Sequence, residues 1–179
     1  MSSEPARPSS VDASRVVFGQ TIMDRSDDLR DGEQSVPMPR CMDAGLIFIG
    51  RITTPWRARA ECPRQGDPAG PLCQVEIFDP WQIALRGLEN FEWIELLYWL
   101  HFSRRDIVLQ TPRHDATTRG TFSLRSPVRP NPIGTSRVRL EAVEGRTLLV
   151  RGLDCLDGTP LLDVKPDRCA FSHAGVDTR

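Results

Sequence analysis

The chain has 179 residues, 39% apolar and 26% charged, with a formal net charge of −1 at pH 7. That length suffices for one good hydrophobic core, and the near-neutral balance excludes a uniformly polycationic protein. No apolar run approaches the roughly 20 residues of a membrane span, and "MSSEPARPSSVDASR" has no apolar stretch of the kind a secretory signal needs.

Residues 1–43 are polar and carry eight acidic residues and five arginines. "RVVFGQTIM" offers a short strand there, but no periodic pattern follows. The stretch reads as an N-terminal appendage, largely disordered, ahead of a globular domain at 44–170 and a tail at 171–179. "GLIFIGRI" (45–52) predicts a buried strand, and the proline- and arginine-rich "TTPWRARAECPRQGDPAGP" predicts a loop. "LCQVEIF" (72–78) alternates as a strand does. "DPWQIALRGLENF" reads as a turn with one short helical stretch, and "WIELLYWLHF" (93–102) as a central strand.

Between Arg104 and Arg139 there are eight arginines and two acids, a local net of +6. "TFSL" within it offers a strand. "SRVRLEAV" (136–143) alternates, with Val138, Leu140 and Ala142 on one face. "EG" at 144–145 predicts a hairpin turn into "RTLLVRGL", Asp157-Gly158 marks another turn, and "LLDVKP" (161–166) is the last strand. Many short strands, long irregular loops and little helix predict a mainly-β fold, a compact β-barrel.

The five cysteines, Cys41, Cys62, Cys73, Cys155 and Cys169, are odd in number and form no C-x-x-C. His101, His114 and His173 stand apart from them. This argues against a zinc knuckle and a disulfide framework and points to bystander thiols in a reducing cytoplasm. Of 23 basic residues only Lys165 is a lysine.

Four places stand out chemically. "CPRQG" (62–66) would project Arg64 and Gln65 from a turn set by Pro63, to read a carboxylate or a base edge, or simply to be solvated. His101, at the end of an apolar strand, is either a pocket group or a satisfied core residue. "RSPVRPNPIG" (125–134) has three prolines that fix its backbone at small entropic cost, so Arg125, Arg129 and Asn131 would hang from a nearly preformed loop. Such a loop suits a phosphate or nucleobase, and it equally suits closing a barrel end. "LDCLDGTPLLDVKP" (153–166) clusters Asp154, Asp157, Asp163 and Lys165, either to meet ribose or ammonium groups or as ordinary turn chemistry.

Together "PRQ", "RGLENF", "RSPVRPNPIGTSRVRL" and "LDCLDGTPLLDVKP" resemble the TsaA/YaeB-like family, which includes the TrmO-type tRNA methyltransferases, over residues 45–167. The resemblance implies a compact β-barrel, usually dimeric, that binds S-adenosylmethionine (SAM). It implies methyl transfer to N6 of a threonylcarbamoyl-modified adenosine beside the anticodon of tRNA, in the cytoplasm and with no membrane. Carried over by motif, Pro63, Arg64, Gln65, His101, Phe102, Arg125, Thr135, Leu153 and Asp154 would hold the cofactor. Arg129, Asn131, Asp157 and Lys165 would form or brace the transfer site, with Asp157 and His101 as proton acceptors. Trp56 or Phe102 would stack on RNA. The family's "DIKPY" is "DVKPD" here, the N-terminal appendage is extra, and the chain reads as a short form without a C-terminal domain. The alternatives are a SAM-binding or sensing module without catalysis and a small-molecule methyltransferase.

Overall fold

The structure, a computed structural model, describes residues 29–41, 43–112 and 116–167. "RVVFGQTIM", His114, Cys169, His173 and the tail lie outside the described residues. Among the described residues nine strands run in chain order: β1 (Gln34–Ser35), β2 (Gly50–Thr53), β3 (Cys73–Ile77), β4 (Trp93–Trp99), β5 (Ile107–Gln110), β6 (Arg119–Gly120), β7 (Ile133–Glu144), β8 (Thr147–Arg151) and β9 (Thr159–Pro166). Six of them close an antiparallel barrel in the order β2-β3-β8-β7-β4-β9, which meets the mainly-β barrel expectation and leaves that sheet no free edge. β1, β5 and β6 form a small separate sheet beside it.

Alternation fills the barrel. On β4, Ile94, Leu96 and Tyr98 point inward and are at most 3% exposed, while Trp93, Glu95, Leu97 and Trp99 occupy the other face. Ile52, Val75, Val138, Leu148, Val150 and Leu161 complete an interior with no accessible surface, each buried side chain stabilising by about 1.5–3 kcal/mol. The hairpin at 144–145 forms as read, with Gly145 at a φ of 61°, and Gly158 takes 76° at the Asp-Gly turn.

Three local readings are corrected. The run 45–52 becomes a strand only from Gly50, and Leu46 and Ile47 are exposed. Only from Gly50 does the run lie between two partner strands, β3 and β9. "TFSL" is not a strand: Thr121–Ser123 is a 3₁₀ turn. Its Thr121 hydroxyl donates to Ile107 O at 2.9 Å and accepts from Gln110 Nε2 at 2.6 Å, which pins the chain inward. The alternation Val138, Leu140, Ala142 breaks at a bulge. Leu140 faces Val150 but Ala142 faces Leu149, so the inward position passes to Val143, opposite Leu148. Helical backbone among the described residues is limited to 3₁₀ turns, including Trp81–Leu85 and Leu88–Asn90 in "DPWQIALRGLENF".

Candidate functional site

The antiparallel register sends three long loops, 54–72, 100–132 and 152–158, to one end of the barrel. Pro63, Arg64, Gln65, His101, Phe102, Arg125, Arg129, Asn131, Leu153, Asp154 and Asp157 all lie on them. Two expected residues lie elsewhere. Thr135 stands on the outer wall of β7, where its hydroxyl donates to Glu95 Oε1 at 2.7 Å. Lys165 is six residues along β9 from Thr159, about 20 Å toward the other end. Its ammonium is paired with Asp163, which raises its pKa and keeps it charged, so it is no proton acceptor.

The proline segment is clamped through its carbonyls. Arg129 Nε donates to Ser126 O at 2.9 Å and its Nη2 to Leu124 O at 2.6 Å. Gln110, 5% exposed, donates to Val128 O at 2.7 Å, and Arg105 Nε donates to Pro130 O at 2.6 Å. Arg105 also reaches Asn131 Oδ1 at 3.3 Å and lies 5.5 Å from the centre of the Trp99 ring. Prolines cannot donate, so a loop rich in them has few backbone donors of its own for its carbonyls, and arginine supplies several at once. Arg125 differs from its neighbours: it is exposed and bonds to nothing among the described residues.

The loop 152–158 is stitched to the end of β2. Thr54, 4% exposed, donates its N–H to Asp157 Oδ1 and its hydroxyl to Cys155 O, both at 3.0 Å. Arg57 pairs with the second Asp157 oxygen, so that carboxylate is occupied on both sides. The "PRQG" loop rests on this one. A Cβ on Gly66 would lie 1.8 Å from Gly152 O, and Gly152 itself takes a φ of 105°. Arg64 and Gln65 project from that contact, exposed and without partners among the described residues.

Asp154 is half-buried, and its charge reaches Cys62. Burial first, then the Asp154 charge, pushes the Cys62 thiol up. Burial likewise pushes Cys73 and Cys155 up, so these three cysteines are thiols and not nucleophilic thiolates at neutral pH. Burial lowers the His101 imidazole below its ordinary value, with Arg51 adding to the effect, so it is neutral at pH 7. The ring beside it, Phe102, has its centroid 3.9 Å from the imidazole and is 72% exposed. Trp56 packs against the core instead.

Residues 51–170 match the family model of the tRNA-methyltransferase O (TrmO) N-terminal domain. The chain belongs to this family. A probable S-adenosyl-L-methionine-binding protein, VirR of Rhizobium radiobacter, is 59% identical over 140 residues, 78% of this chain and 80% of its own. A mouse tRNA (adenine(37)-N6)-methyltransferase is 41% identical over 136 residues, 70% of this chain but 32% of its own. The crystal structure of TrmO from Pseudomonas aeruginosa superposes with a TM-score of 0.60 at 35% identity, covering 77% of this chain and 61% of that one. The chain thus spans under two thirds of the solved TrmO chain and about a third of the mouse enzyme.

Within this TrmO-family barrel the structure adds residues that sequence reading missed: Arg105 and Gln110 as clamps, Tyr98 and Ser136 bonded to Asp154, and Phe122, 85% exposed, beside the anchored Thr121. A buried polar residue in a strand was the available signal for Gln110, but "IVLQ" is too short to announce its partners.

Proposed function

We propose that this chain is a SAM-dependent methyltransferase that modifies N6 of an adenosine in tRNA, and that its acceptor is a threonylcarbamoyl-modified adenosine next to the anticodon. The observation that carries the reading is the gathering of the family's PRQ, HF, RSPVRPNPIG and LDCLDG segments at one barrel end. The groups there suit the cofactor: exposed guanidinium and amide donors on Arg64, Gln65 and Arg125, an exposed ring on Phe102, and a carboxylate on Asp154. Bound SAM supplies an electrophilic methyl on a cationic sulfur; transfer forms the N6–C bond, breaks the S–C bond and frees one N6 proton.

The chain's own work is alignment and charge management. Pro63, Arg64, Gln65, His101, Phe102, Arg125, Leu153 and Asp154 line the cofactor's place. Arg129 and Asp157 brace it through carbonyl and backbone contacts. His101, being neutral, is able to take the released proton. Asn131 is oriented by Arg105 at the rim.

For tRNA, the +6 of the 104–139 segment is unevenly available. Arg104, Arg137 and Arg139 are paired with Asp106, Asp167 and Glu141. Arg105 and Arg129 bond neutral carbonyls, and Arg125 bonds nothing described, so positive charge persists around the proline loop. Phosphates would meet this charge, and unpaired bases would stack on Phe102 and Phe122. The working unit proposed is a cytoplasmic homodimer; no helix among the described residues is long and apolar enough to cross a membrane.

Labelled SAM incubated with total RNA from a strain lacking the protein should yield a labelled N6-methylated threonylcarbamoyl nucleoside on mass analysis. A second reading, cofactor binding without transfer, is favoured by the name of the VirR relative. SAM binding by calorimetry with no labelled RNA would establish it in place of the first. Arg129→Ala should lower methyl transfer at least about tenfold with an unchanged circular dichroism spectrum, because two half-buried carbonyls lose donors at about 1–3 kcal/mol each. Arg129→Lys should not rescue it, since an ammonium cannot span both carbonyls.

A further inference from the structure

Three oxygens meet just inside the barrel mouth. Tyr98 donates its hydroxyl to Asp154 Oδ1 at 2.8 Å, Ser136 donates to the same oxygen at 3.0 Å, and the two hydroxyls lie 2.8 Å apart. Tyr98 and Ser136 are 3% and 8% exposed. Phenylalanine and alanine would fill this core with no polar atom to satisfy, so the hydroxyls are a costly choice for packing alone. Gly134 serves the same arrangement, because a Cβ there would lie 2.2 Å from Tyr98 Cε2. Burial and the neighbouring Asp154 charge push the phenol pKa up, so Tyr98 remains a donor at any working pH.

Both hydroxyls address one carboxylate oxygen, whereas Asp154 Oδ2 has no partner among the described residues. Two donors on Oδ1 fix the rotation of the carboxylate, whose charge acts on Cys62, while Gly66 of the same loop abuts Gly152, two residues before Asp154. We propose that Tyr98 and Ser136 are positioning residues that lock Asp154 so that Oδ2 accepts a hydrogen bond from a donor on the bound cofactor. This rests on the SAM-binding reading above. Neither hydroxyl touches the ligand; each acts through Asp154.

The test is calorimetric affinity for SAM and for 5′-methylthioadenosine, with thermal melts, on the wild type, Tyr98→Phe, Ser136→Ala, Asp154→Ala, and the first two each combined with Asp154→Ala. Tyr98→Phe and Ser136→Ala should each weaken SAM about 5- to 10-fold, the scale of a hydrogen bond to a charged group. Neither should weaken it further in the Asp154→Ala background. Ser136→Thr, which keeps the hydroxyl, should bind within about twofold of wild type. A loss seen with both ligands places the donor on the nucleoside; a loss seen with SAM alone places it on the amino-acid end. Wild-type affinity in Tyr98→Phe, or an undiminished effect after Asp154→Ala, overturns the proposal. A wild type that binds no SAM overturns the reading beneath it as well.

Discussion

Gly66→Ala is expected to weaken SAM binding by about a hundredfold while costing the barrel less than about 1 kcal/mol. The added Cβ would lie 1.8 Å from Gly152 O and 2.6 Å from its carbonyl carbon, and neither is the end of a flexible side chain. One of the two loops must therefore move by roughly 1 Å, a displacement that misaligns bound groups at about this cost. Gly66 lies outside the barrel strands, in a loop whose Arg64 and Gln65 are exposed, so global stability has little stake in it. Calorimetry and a denaturant melt on the same sample separate the two effects. Undiminished affinity would show that the 63–66 loop does not hold the cofactor.

Gly134→Ala should act in the opposite way, destabilising the fold by about 3 kcal/mol. Its Cβ would meet three atoms of the Tyr98 ring at 2.2–2.8 Å, inside a closed barrel where the ring has nowhere to turn. Tyr98 would leave Ser136 and Asp154 as well, so the polar node opens together with the packing. Urea titration should give a lower midpoint with an unchanged slope. Adding Tyr98→Leu to Gly134→Ala should recover part of the loss by removing the clashing ring edge. A midpoint like the wild type's in the single variant would contradict the packing argument.

Gly134 also shows where sequence reasoning stops. A glycine after three prolines invites the explanation that the chain must turn sharply, yet its value lies in a close approach from β4, which is paired alongside but distant in sequence. The barrel was legible because the period-two pattern on 72–78, the short apolar run at 93–102 and the period-two pattern on 136–143 are local signals. The break in the last of them, at Glu141, was not, because a bulge is decided by the partner strand. The three site loops were legible as loops through proline and glycine. Their internal division of labour was hidden: Arg125 and Arg129 look alike in the sequence, but only the fold gives Arg129 two carbonyls to hold and leaves Arg125 without a partner among the described residues. Lys165 and Thr135 matched the motifs equally well, and the strand register alone sets them on the outer wall.

β9 is the last strand of the barrel in sequence, and it is the one that joins β2 to β4. Leu161 and Gly50 are register partners although they stand roughly 110 positions apart in the chain. During synthesis the ring therefore cannot shut until residues past 166 have left the ribosome. Until then β2 and β4 each offer an unsatisfied edge, and β4 carries isoleucine, leucine and tryptophan along it. A nascent or truncated chain ending before Thr159 would be a two-edged open sheet, inclined to pair with another copy rather than to wait.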